Sequence, residues 1–202
     1  MVAAKVYIAA VGDVPMLPVW PEARQAQLDA TKNKAHRKAR YAAWRLLEYA
    51  LLDGLGLHLR QLQLTVKEGK WTCPQCFFSI SHSGGVVAVA VSTEPVGVDI
   101  EFARQPRTDL AQKICSPGEM EQLLRLPPRE RDRYLLHSWC KKESMFKYGD
   151  APVFHPKELI PGDMTAAQTL SVQGQPYAWA ITCREAEAAQ VQIVENFLQN
   201  AK

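Results

Sequence analysis

The sequence predicts an α+β protein. Three observations carry this. Two long stretches, 22–57 and 111–148, repeat apolar residues at helical spacing, three β-branched runs follow one another between them, and weaker strand signals return in the last third.

Val6, Tyr7 and Ile8 follow Lys5 and read as a first strand; the opening ten residues have no extended apolar core or cleavage site, so they do not read as a signal peptide. Residues 13–21 carry three prolines and read as a loop. From 22 to 57 one helix is predicted, with Tyr41, Trp44, Leu47 and Leu51 on its apolar stripe and Gly54 and Gly56 ending it. The alternation at 61–66 predicts a strand, and Glu68, Gly69 and Lys70 suit a turn. Three strands are expected at 77–80, 86–91 and 96–100, then helices at 111–124 and 129–148 interrupted by Pro127 and Pro128. Short strands at 170–172 and 177–182 precede a polar tail.

A chain of 202 residues buries roughly 70% of its unfolded surface, so it needs no disulfide or metal staple. A hydrophobic content of 47% with 22% charged residues describes an ordinary globular protein, and a net charge of +3 is too small to argue for bulk nucleic-acid binding. The longest stretch without an acid or base, 73–93, contains proline, histidine and two glycines, which argues against a membrane span. Five cysteines cannot all pair within one chain, and a reducing cytoplasm is the expected address.

Three segments bear chemistry. In Gly97-Val98-Asp99-Ile100-Glu101 strand alternation points Asp99 and Glu101 the same way, and two carboxylates on one face repel unless a cation or proton lies between them. Hard oxygen ligands of that kind suit magnesium; the ordinary alternative is a solvated strand face. In the run from Trp139 to Lys147, Glu143 and Lys147 lie one helical turn apart, beside a stripe of Trp139, Lys142 and Phe146. A surface ion pair with a core aromatic stripe is the plainer explanation there. Ser79, Ser81, His82 and Ser83 with Gly84 and Gly85 can wrap an anion between strands, or form an ordinary turn. A Ser/His nucleophile is disfavoured, because adjacent residues rarely meet in triad geometry.

Order and spacing change these odds. The chain runs S-I-S-H-S, G-V-D-I-E, S-x-x-E at Ser116 and Glu119, then W-x-x-K-E-x-x-x-K. This series resembles the 4'-phosphopantetheinyl transferase superfamily, in particular its long, two-lobed class that activates peptide and polyketide synthetases. The match covers 77–147, with looser similarity beyond. Ser79 stands where the family commonly has asparagine, Trp71 follows Gly69-Lys70 where it has proline, and Ile114-Cys115 stands where two aromatics are frequent.

The resemblance implies two similar α+β lobes related by a pseudo-twofold axis, 1–95 and 96–202, with coenzyme A between them. It implies magnesium on Asp99, Glu101 and Glu143, with Glu143 as general base. His82 and Ser81 would contact coenzyme A phosphates, and Lys147 and Lys142 would neutralise the diphosphate. Arg40 and Lys70 are weaker nucleotide-phosphate candidates, and Lys32 and Lys34 weaker still. The implied product is holo carrier protein plus 3',5'-ADP. The expected partner is an apo acyl or peptidyl carrier, met by a monomer that binds neither nucleic acid nor membrane. The segment 119–133, with Leu124, Arg125 and Arg129, is the expected docking site. A degenerate, binding-only protein is the alternative.

Two features invite other readings. Cys73-Pro-Gln-Cys76 has zinc-knuckle spacing but lacks two further ligands, so these cysteines read as incidental. The basic stretch 32–45 resembles a nucleic-acid-binding helix, yet its Tyr41 and Trp44 fall on the apolar face.

Overall fold

Apolar alternation along the strands is satisfied by two sheets stacked over a shared core. The computed structural model describes residues 4–13, 15–67, 69–103, 109–149, 151–195 and 197. Its strands are β1 (Lys5–Ala10), β2 (Thr65–Lys67), β3 (Lys70–Thr72), β4 (Phe77–Ser83), β5 (Val86–Ser92), β6 (Gly97–Phe102), β7 (Thr165–Val172), β8 (Gln175–Thr182) and β9 (Gln190–Ile193). Its helices are α1 (Glu22–Asp29), α2 (Lys34–Leu55), α3 (Leu110–Ile114), α4 (Pro117–Arg125) and α5 (Pro128–Tyr148). The mixed α+β class agrees with the sequence.

One sheet has the order β4-β5-β1-β9, another β6-β8-β7, and β2-β3 form a small hairpin. β5, Val-Val-Ala-Val-Ala-Val-Ser, is buried along its whole length because both faces are covered. One face, with Val87, Val89 and Val91, packs under Trp44, Leu47 and Leu51 of α2. The other, with Val86, Ala88 and Ala90, meets Val98, Ile100, Trp179 and Ile181 of the second sheet. On the far side of that sheet, Cys140 of α5 packs on Ala178 and Ala180 of β8.

Several expectations need correction. The single helix expected over 22–57 is two: Asn33 breaks it, its side-chain oxygen accepting the His36 N–H to cap α2. Gly54 lies inside α2, where a Cβ would come within 2.8 Å of Val91 Cγ2; only Gly56, at φ +67°, ends the helix. The strand expected at 61–66 shrinks to Thr65–Lys67 after a 3-10 turn, and Glu68 of the predicted turn lies outside the described residues. The helix expected over 111–124 is split into α3 and α4 by a capping box of Ser116 and Glu119. The polar tail contains β9, which pairs in parallel with β1 and so joins the C-terminal end to the N-terminal sheet. A boundary at 95/96 falls in the link between β5 and β6 but does not separate the two sheets' chain segments.

Gly97 sets the distance between β6 and α5. A Cβ there would overlap the Ser144 carbonyl oxygen and lie 2.6 Å from Tyr148 N, both helix backbone. Neither atom can move without shifting the helix. Gly97→Ala should therefore destabilise the protein by at least about 1–3 kcal/mol, read as a lower urea midpoint, with α5 displaced from β6. An unchanged midpoint would show that the helix has slack here.

Candidate active site

Strand alternation builds the site from β4 and β6. Ser79, Ser81 and Ser83 form a rail toward β6. Ser79 Oγ accepts the Val98 N–H at 3.0 Å, and Ser81 donates to Asp99 Oδ1 at 2.7 Å. Ser83 donates to Glu101 Oε2 at 2.6 Å and accepts the Phe102 N–H at 3.2 Å. The anion-wrapping turn considered at 79–85 is thus a strand as far as Ser83, in antiparallel register with β5, and only Gly84 and Gly85 turn. Its backbone is engaged in the sheet.

α5 packs across β6 and β8 and contributes four motif residues. Trp139 Nε1–H donates to Glu101 Oε1 at 3.1 Å. Lys147 Nζ donates to Asp99 Oδ1 at 2.7 Å. Glu143 lines a cleft of about 940 Å³ beside Phe146 and Lys147. The plain i,i+4 pairing of Glu143 with Lys147 is not what forms; the lysine crosses to β6 instead. Lys142 requires a correction. It is fully buried, paired with Glu119 at 2.9 Å and donating to the Pro156 and Leu159 carbonyls at 2.7 and 2.8 Å. Neighbouring helix positions are about 100° apart, so Lys142 faces the protein while Glu143 faces the cleft.

The opposite wall comes from α1, α2, β3 and β4. His36, Arg40 and Trp44 share one face of α2 at four-residue steps and line the cleft with Lys70, Trp71 and His82. Lys70 Nζ donates to the Phe146 and Gly149 carbonyls at 3.3 and 3.1 Å, tying β3 to the end of α5. Arg40 donates to Thr31 Oγ1 at 3.2 Å. Ser81 is buried with its hydroxyl on Asp99 and is not among the cleft-lining residues, so it supports a carboxylate and does not reach a ligand directly. Lys32 and Lys34 do not line the cleft either.

Sequence reasoning missed Arg24, His36 and Trp139. Arg24 lies over the Trp44 ring, 4.8 Å from its centroid, and donates to the Arg40 carbonyl at 3.0 Å. Burial, with Arg40 beside it, lowers its guanidinium to about 10. The repeat of His36 with Arg40 at i,i+4 was the available signal for His36. Trp139 fits a core aromatic stripe in the sequence, but its indole N–H requires a partner.

Three carboxylates crowd together near cationic walls, and of the three only Glu143 is among the cleft-lining residues. Burial raises Glu143 above the usual carboxylate range, helped by Asp99 and Glu101 and opposed by Lys147. Burial also raises Glu101, against the hydrogen bond from Ser83. His82 is held below its ordinary value by burial of its ring and by Lys147, His36 and Arg40.

Among the described residues no three His, Cys, Asp or Glu side chains converge tightly enough to hold a metal by themselves. A hard cation nevertheless fits the donor set. Asp99 Oδ2 is buried without a hydrogen-bond partner, and magnesium takes only one or two carboxylates alongside water and phosphate.

Residues 95–194 match the family described as the 4'-phosphopantetheinyl transferase superfamily. A 4'-phosphopantetheinyl transferase of Bacillus subtilis is 38% identical over 74 residues, covering 37% of this chain and 33% of that protein. Enterobactin synthase component D of Escherichia coli O157:H7 is 31% identical over 114 residues, 55% of this chain and 51% of that protein. A 4'-phosphopantetheinyl transferase of Salmonella typhimurium is 31% identical over 100 residues, 48% and 50% respectively. The chain thus spans between a third and about half of the length of these relatives.

Two outcomes follow from the geometry. Lys142→Ala leaves Glu119 and two carbonyls unmatched in a buried place and should cost about 3–5 kcal/mol of stability, with ligand affinity per folded molecule unchanged. Calorimetry with denaturant titration reads both, and weaker ligand binding without lost stability would return Lys142 to the cleft. The second concerns Glu143. Its raised value means that the folded state holds this proton more readily than the unfolded chain, so stability falls as pH rises from the unfolded toward the folded value. At neutral pH the ionised side chain withholds stability. Glu143→Gln should raise the neutral-pH urea midpoint and flatten its dependence above about pH 4.5; a lower midpoint would mean that the carboxylate is held by favourable contacts.

Proposed function

We propose, for a chain that belongs to the 4'-phosphopantetheinyl transferase superfamily, that it transfers 4'-phosphopantetheine from coenzyme A to a serine of an apo carrier protein and releases 3',5'-ADP. The observation that carries this reading is the cleft itself: Glu143 and Lys147 of α5 face Arg40, Lys70 and His82 across a space of about 940 Å³. That is room for a nucleotide with cations for its phosphates. Trp71, half-buried on the cleft wall and backed by the buried Trp44 with ring centroids 5.2 Å apart, offers flat apolar surface for a base.

Glu143 takes the proton of the carrier serine, and its raised affinity for a proton suits it to act as a general base. The serine oxygen bonds to the β-phosphorus as the bond from that phosphorus to the leaving 3',5'-ADP oxygen breaks. Lys147 meets the charge that develops on the diphosphate, and Lys70, Arg40 and His82 hold the nucleotide in line. Asp99, Glu101 and Glu143 would hold magnesium, which when bound supplies Lewis-acid neutralisation of the phosphoryl oxygens. Ser81, Ser83 and Trp139 fix the orientation of Asp99 and Glu101.

The two-lobed reading is supported by each main sheet carrying one long helix, α2 of 22 residues and α5 of 21. The carrier would dock at the α4–α5 corner. There Leu124 is 60% exposed beside Arg125 and Arg129, a small apolar contact with a basic rim for an acidic helix. Arg131 is already engaged, donating to the Leu124 and Leu126 carbonyls. Among the described residues no helix is long and apolar enough to cross a membrane.

The test is incubation with coenzyme A, magnesium and a panel of apo carriers, followed by intact-mass measurement. At least one carrier should gain a phosphopantetheine, and Asp99→Ala and Glu143→Ala should each abolish the gain while keeping the native circular dichroism. Near wild-type turnover in either variant would sink the assignment. Coenzyme A binding without transfer to any carrier would point to the binding-only alternative.

A further inference from the structure

Cys73 and Cys76, in the connection between β3 and β4, take no part in the chemistry above. Their sulfurs lie 3.3 Å apart, and Cys73 Sγ lies 3.3 Å from the Cys76 carbonyl oxygen. A disulfide needs about 2.05 Å between sulfurs, so a movement of about 1 Å closes the pair. Both residues line the cleft, with Trp71 and Phe78 close by in the same wall. Cys73 is half-buried and within reach of a small molecule in the cleft, whereas Cys76 is 3% exposed. Burial, together with its neighbour Cys73, pushes the Cys76 thiol well above its ordinary range. Access therefore picks Cys73 as the attacking sulfur. A metal reading fails, because among the described residues no third His, Cys, Asp or Glu completes a site with them.

We propose that Cys73 and Cys76 are a redox-active dithiol whose substrates are low-molecular-weight disulfides, closing reversibly to an intramolecular disulfide on the cleft wall. Cys73, as thiolate, attacks one sulfur of a disulfide RSSR; the Cys73–S–S–R bond forms, the R–S–S–R bond breaks, and RS⁻ takes up the proton that Cys73 lost. Cys76 then attacks Cys73 Sγ, its proton passes to the departing sulfur, and a second RSH leaves. The two protein thiols are oxidised by two electrons, and RSSR is reduced to two RSH.

The full chain, freshly reduced, is exposed to oxidised glutathione, blocked with iodoacetamide and read by intact mass and peptide mapping. The wild type should lose two hydrogens, with Cys73 and Cys76 jointly protected from alkylation and restored by dithiothreitol. Cys76→Ser should accumulate a glutathione adduct on Cys73, since nothing resolves it, while Cys73→Ser should leave Cys76 unmodified. Circular dichroism checks that each variant is folded, and Cys76→Ala gives the same readout if the serine is not accepted. Absence of the wild-type disulfide at every glutathione ratio overturns the proposal. So does an adduct that builds on Cys76 in Cys73→Ser.

Discussion

The Asp99 carboxylate is the point on which the site is hung. It is 3% exposed, and one oxygen is shared by the Ser81 hydroxyl and the Lys147 ammonium, both at 2.7 Å. A buried anion without partners costs several kcal/mol (roughly 3–5), so β4, β6 and α5 are obliged to meet where those three groups can. The second oxygen is buried without a hydrogen-bond partner.

Around that carboxylate the conspicuous sequence motifs turn out to be partners of one another. The serines of β4 hold the acids of β6, Trp139 holds Glu101 from above, and Glu119 is occupied by Lys142. Glu119 also closes the capping box that starts α4. Most of the motif residues therefore build the frame, while Glu143, Lys147, Lys70 and His82 line the cleft. Gly97 is the permissive element, since any side chain there would hold α5 away from the acids.

Periodicity made much of this legible. Alternation along β6 put Asp99 and Glu101 on one face, and four-residue spacing put Glu143 and Lys147 on one side of α5. It could not show which side of the helix Lys142 takes, because that depends on where the chain at 156–159 and Glu119 arrive. The same limit hid Arg24, whose role rests on α1 folding back over Trp44, and β9, a short exposed strand held by its pairing with β1. Ser81 and Ser83 look like loop residues in the sequence because they are small and polar. They are so because they are hydrogen-bonding across to the neighbouring strand.

The parallel pairing of β1 with β9 has a bearing on how the molecule is made. The two strands lie far apart in sequence, so β9 is synthesised long after β1 and β5. β1 can pair with β5 beforehand, yet its other edge stays open until β9 arrives. An open strand edge is a template for wrong pairing. The segment from β1 to β5 thus carries that liability until β9 covers the edge.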